Sequence, residues 1–96
     1  MKRQEVLNTL AAHRVKLQEM GIGSLSLFGS VSRDEAVDTS NVDLLVEFNR
    51  PVGLFHFARV QRTLSELLNC PVDLVTRAAL RDEMRDEILQ EAVHAT

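Results

Sequence analysis

Asn41-Val42-Asp43-Leu44-Leu45-Val46-Glu47-Phe48 is the stretch on which the reading of this 96-residue chain turns. In an extended strand successive side chains alternate, so Val42, Leu44, Val46 and Phe48 share one side and Asn41, Asp43, Leu45 and Glu47 the other. Asn49-Arg50-Pro51 ends the run. A shorter strand, Val72-Asp73-Leu74-Val75-Thr76, again places aspartate second. Between them, residues from about Leu54 to Asn69 suit a helix with Phe57, Val60, Leu64 and Leu67 inward, closed by Cys70-Pro71. Two strands joined by such a helix run parallel with a right-handed crossover. Asp43 and Asp73 are therefore expected at the same edge of one sheet.

Working outward, Lys2 to about Met20 lacks Gly and Pro, and Val6, Leu10, Arg14 and Leu17 recur at helical spacing beside Leu7 and Ala11. One amphipathic helix is expected there, ended by Gly21-Ile22-Gly23. A strand over Ser24-Leu25-Ser26-Leu27-Phe28 then stops at Gly29-Ser30. If it runs antiparallel to the second strand, one cleft collects Ser30, Asn41, Asp43 and Asp73. Toward the C-terminus, Thr76 is placed to cap a turn beginning near Arg77. A last helix is expected over Arg81–Val93, with Met84, Ile88 and Ala92 as its apolar stripe and its alternating charges solvated. The fold class is α/β (α+β): a small mixed β-sheet flanked by helices, in one domain over residues 1–96.

A carboxylate at the start of an apolar strand is costly to bury alone. Either aspartate by itself reads as a strand-end cap or an arginine partner. Two of them converging beside a glycine-initiated turn suit a hard divalent cation bound through oxygen, with a phosphate chain completing the coordination. Gly29 lets backbone approach a phosphate, and the hydroxyl and amide of Ser30 can donate to it. Arg33, three residues on, is placed to offset phosphate charge.

Gly29-Ser-Val-Ser-Arg33, then Ser40-Asn-Val-Asp43-Leu-Leu-Val-Glu-Phe48, then Val72-Asp73-Leu-Val-Thr76 resemble the signature of the polymerase-β-like nucleotidyltransferases. More narrowly, they resemble the minimal nucleotidyltransferases (MNT) that act as antitoxins to HEPN-domain ribonucleases. The resemblance spans nearly the whole chain and rests on three ordered motifs. It implies a nucleotidyltransferase fold and magnesium-dependent transfer of AMP from ATP to a tyrosine hydroxyl of a partner HEPN toxin, with pyrophosphate leaving. Carried over by position, Gly29 and Ser30 hold the triphosphate and Arg33 supports their loop. Asp43 binds both of two magnesium ions; Asp73 joins the catalytic one and helps deprotonate the acceptor.

One position departs from the pattern. The family carries aspartate at both ends of an Asp-x-Asp unit, whereas this chain reads Asn41-Val42-Asp43. As a metal ligand Asn41 offers an amide oxygen without the carboxylate charge, which weakens the second ion most. Three accounts stand side by side: an introduced substitution that traps a complex, a ligand lost in an antitoxin that works by binding alone, and an amide tolerated in an active enzyme. A subunit of a tRNA- or antibiotic-modifying transferase is the remaining reading, disfavoured because a second domain to hold such a substrate is not expected.

Net charge is −3, which argues against direct nucleic-acid binding through a basic face. Neither Trp nor Tyr is present, so Leu, Val, Ile, Ala and four Phe must build a modest core; a hetero-oligomer is what the resemblance implies. No apolar run suits a signal or a membrane span, and a cytoplasmic location follows as the default. Cys70 reads as a small buried residue, not a nucleophile. His13, His56 and His94 lack the spacing of a metal site and read as surface or boundary residues; His56, between Phe55 and Phe57, sits where a nucleotide base or a partner helix would pack.

Overall fold

The computed structural model describes residues 2–29, 41–80 and 82–96. Helices α1 (Arg3–Ala12) and α2 (Arg14–Glu19) lead into strand β1 (Ile22–Phe28); β2 (Val42–Phe48), α3 (Leu54–Leu68) and β3 (Val72–Thr76) follow. A 3-10 turn (Arg77–Ala79), α4 (Asp82–Glu91) and the two-residue strand β4 (Val93–His94) complete the order. Among the described residues four strands form one sheet in the order β3-β2-β1-β4. β2 and β3 are parallel, and β1 pairs antiparallel with both β2 and β4. The mixed sheet flanked by helices expected from the motif spacing is what forms.

One sheet face makes the core. Leu25 lies opposite Val46 and Leu27 opposite Leu44, while Val42 and Leu44 oppose Val72 and Leu74. All of these are buried, together with Val6, Leu10 and Leu17 from the N-terminal helices and Val60, Leu64 and Leu68 from α3. Burying each such side chain contributes roughly 1.5–3 kcal/mol. α3 presents Val60, Leu64 and Leu68 at successive four-residue steps, so Leu68 is the deepest of its last turn and the expected Leu67 packs at the margin. Asn69 ends the helix in the left-handed conformation (φ 55°), which asparagine tolerates better than most residues. Gln61 Nε2 then donates to Val72 O at 2.8 Å, and Val42 N to Pro71 O at 3.0 Å. These bonds start the parallel ladder and set its register.

Several boundaries differ from the sequence reading. The single N-terminal helix is two, broken at His13 (φ −111°, ψ 19°), whose Nδ1 lies 2.9 Å from Thr9 O. Gly21, at φ +91°, turns the chain as expected, but β1 starts already at Ile22, paired with Phe48 across an irregularity in the ladder. Thr76 makes no side-chain capping bond; backbone alone closes the following turn, Leu80 N donating to Arg77 O. The last helix stops at Glu91, because Val93 and His94 join β1 opposite Leu27 and Ser26. Ala95 N donates to Leu25 O and Leu25 N to Thr96 O, so the C-terminus extends the sheet edge. Ile88 and Ala92 are half-buried; the side chain of Met84, and Arg81, lie outside the described residues. Among the described residues no helix is long and apolar enough to cross a membrane.

Candidate functional site

Pleating sends every second residue of β2 away from the core. On that opposite face Phe28, Asp43 and Asp73 form one rung across three strands, since Phe28 pairs with Asp43 and Asp43 with Asp73. Neighbouring strands lie about 4.8 Å apart, so the two carboxylates are side by side. Asn41, two residues before Asp43, projects to the same face and its Nδ2 donates to Asp73 Oδ2 at 3.3 Å. Asn41 and Asp73 are exposed, whereas Asp43 is half-buried.

This placement is electrostatically unfavourable for the protein alone. Burial pushes the Asp43 carboxyl above its ordinary value; the neighbouring negative charge of Asp73 raises it further, and so does a hydrogen bond shared with Asp73. Ionising Asp43 therefore works against both desolvation and repulsion. The Asn41 amide relieves part of this by offering a donor to Asp73.

Gly29 completes the rung's rim. It follows β1 with φ +75°, a conformation that side chains disfavour, and a Cβ built there would collide with Asp43 Oδ2 and lie 3.2 Å from its Cγ. Glycine thus keeps the backbone in contact with the Asp43 carboxylate. Ser30 and Arg33, the other expected phosphate-binding residues, lie outside the described residues. So among the expected site residues the structure brings Gly29, Asn41, Asp43 and Asp73 together.

The other singled-out residues sit elsewhere. His56 is half-buried at the start of α3, its Nε2 against Met20 O and its ring edge-on to Phe48 at 6.2 Å. That ring pins α3 to the sheet and is already committed to packing within the fold. Cys70 is half-buried against the core and burial pushes its thiol up, away from the reactive thiolate. Farther along the site face, Arg77 reaches Glu47 at 3.7 Å, an exposed pair of small energetic weight. Among the described residues no cluster of three or more His, Cys, Asp or Glu side chains could hold a metal ion. With an amide at position 41, Asn41, Asp43 and Asp73 together supply two carboxylates.

The family model for the nucleotidyltransferase domain matches residues 10–94. This chain belongs to that family. A protein adenylyltransferase, MntA of Thermococcus cleftensis, is 35% identical to this nucleotidyltransferase over 92 residues, covering 95% of this chain and 93% of that protein. A solved structure provisionally assigned as a minimal nucleotidyltransferase superposes with a TM-score of 0.83 at 32% identity, covering 97% of this chain and 95% of the other. A third likeness is to a complex of tri-AMPylated Shewanella oneidensis HEPN toxin with MNT antitoxin. There the TM-score is 0.67 at 18% identity, over 98% of this chain and 71% of that one. At that identity the likeness speaks for the nucleotidyltransferase fold alone.

Proposed function

We propose that this chain is an antitoxin adenylyltransferase that moves AMP from ATP to a tyrosine hydroxyl of a partner HEPN toxin, and that Asn41 weakens the reaction. The observation that carries the proposal is the rung in which Asp43 faces Asp73, with Asn41 and Gly29 at its rim. The similarity to an adenylyltransferase over nearly the whole chain supports the choice of AMP and of a protein acceptor.

The donor set fits magnesium: two carboxylates and one amide, all hard oxygen ligands, with burial and the neighbouring Asp73 charge raising the Asp43 carboxyl in a way that a cation would offset. Asp43 and Asp73 would hold the ion, with the Asn41 carbonyl as the weaker third ligand and a second ion the one most affected. When bound, magnesium offsets the negative charge at the α-phosphate and on the leaving pyrophosphate. The bare Cα of Gly29 leaves backbone free to lie against the triphosphate, and Ser30 and Arg33 are assigned its oxygens. Asp73, exposed at the rim, accepts the proton of the acceptor hydroxyl while that oxygen bonds to the α-phosphorus and the bond to the β-phosphate oxygen breaks. A cytoplasmic hetero-oligomer acting without direct nucleic-acid contact completes the reading.

One observation favours a second reading. The Asn41 amide donates to Asp73, occupying an oxygen that an acceptor proton or a cation would need. An antitoxin that masks its toxin by binding alone has no use for that oxygen. Labelled ATP, magnesium and the protein encoded beside this chain decide between the two when label and mass are followed on the partner. The expected result is added AMP, more with Asn41→Asp and none with Asp73→Asn. A stable complex without transfer from either the native chain or Asn41→Asp establishes binding alone, and equal rates for those two proteins remove the role given to Asn41.

A further inference from the structure

Helix α3 buries one face and leaves the other bare. Phe55, Ala58, Arg59 and Arg62 follow helical spacing along that outer stripe and line a surface hollow of about 410 Å³. Phe55 is 91% exposed and Leu54 beside it 79%, the two most exposed large apolar side chains among the described residues. Ala58, the smallest member of the stripe, leaves open the space between Phe55 and Arg62. Among the described residues neither Arg59 nor Arg62 has an ion pair or hydrogen bond. One turn apart, the two like charges repel. An exposed aromatic ring and two unpaired guanidinium groups each leave the isolated chain less well satisfied than a polar surface would.

We propose that this stripe docks a protein partner through an acidic amphipathic helix of that partner. Its apolar side chain seats over Ala58 beside Phe55, and carboxylates one turn apart pair with Arg59 and Arg62. The inference rests on the reading that the chain acts on another protein, and it names where that protein holds on. Charge selects the occupant. The chain carries a net −3, so a nucleic acid would meet two arginines within a repelling field, without the row of cations its backbone needs. A second copy would bring two further arginines of the same sign onto the stripe and leave all four without carboxylate partners from it. An acidic helix has neither difficulty.

The stripe is separate from the carboxylate rung. Phe55 opens α3, and the helix's other end leads into Val72 and Asp73; fifteen helical residues span roughly 20 Å. Holding the partner and modifying it are therefore separable by mutation.

The test titrates the full-length protein encoded beside this chain into the native protein, Phe55→Ala, the double variant Arg59→Glu/Arg62→Glu and the control Glu87→Gln on α4, while AMP transfer is followed in the same mixtures. Unchanged melting temperatures establish that the α3 variants fold, as their exposed side chains predict. The expected result is binding weakened roughly tenfold or more by the double variant, less by Phe55→Ala, and not at all by Glu87→Gln. Binding by the α3 variants within twofold of the native protein overturns the docking face, even if AMP is transferred. So does the absence of native binding. Loss of a single-stranded RNA 20-mer by the double variant, with partner binding intact, assigns the stripe to nucleic acid and overturns it too. Tight binding that the α3 substitutions weaken, without AMP transfer, keeps the docking face and removes the adenylyltransferase reading.

Discussion

The two faces of β2 are made from alternate residues of one strand, yet they obey opposite rules. Val42, Leu44 and Val46 belong to the apolar core and are at most 1% exposed, each side chain gaining from the next. Asp43, on the other face, is half-buried beside Asp73, and its ionisation is opposed by burial and by its neighbour's charge. One face stores stability and the other gives some up. Like charges held together in this way are a common mark of a ligand site, and the sheet tolerates the cost because the apolar face is continuous.

Removing one member of each face sharpens this contrast. Asp73→Asn should reduce AMP transfer roughly a thousandfold, about 4 kcal/mol of barrier, while leaving the melting temperature of the metal-free protein unchanged or higher. Quantitative mass spectrometry of the partner and thermal melts check the two halves, and a lower melting temperature would break the comparison. Leu44→Ala, one residue from Asp43, should cost about 3 kcal/mol of folding stability by denaturant titration, through lost burial and a cavity against Leu27 and Leu74.

Gly29→Ala should cost about 1–2 kcal/mol, because the backbone there is left-handed and the new methyl group meets the Asp43 carboxylate. Nucleotide binding, followed by fluorescence of a labelled ATP analogue, should weaken with it. Stability equal to that of the native protein would show that the contact relaxes freely.

The smallest effect is the pH dependence of Asp43. Its raised value means that the folded protein holds this proton more tightly than the unfolded chain, whose carboxyl titrates near the ordinary 3.8. Stability from this group is complete below that ordinary value and is lost as pH rises through the raised one. Asp43→Asn removes the loss, so the metal-free variant should be the more stable protein at pH 7, by less than about 1 kcal/mol after solvent screening, and the gap should close on acidification. A gap constant with pH would assign the difference to packing.

Much of the site was legible because strand alternation and a crossover helix are local rules. Aspartate second in both strands, with one helix between, was enough to expect Asp43 and Asp73 at one edge, and the structure pairs them in register. β4 was not legible: the helical pattern in sequence runs through Val93, and only the unpaired edge of β1 makes Val93 and His94 a strand. The break at His13 was hidden likewise, since no Gly or Pro marks it and the ring's contact with Thr9 O shows only in three dimensions. Partial burial of Asp43 and the Asn41–Asp73 bond depend on atoms thirty residues apart in the chain.

The sequence by itself determined the order of the three longer strands, the helix between the last two, the apolar face of each of those strands and the placing of Asp43 and Asp73, because periodicity and side-chain chemistry are properties of the local chain. The tertiary structure alone decided that Gly29 must stay bare against Asp43, that Asn41 turns its amide to Asp73, and that α3 keeps Phe55, Arg59 and Arg62 uncovered. Contact, burial and exposure are set by what the rest of the chain packs against a residue, and no local pattern records that.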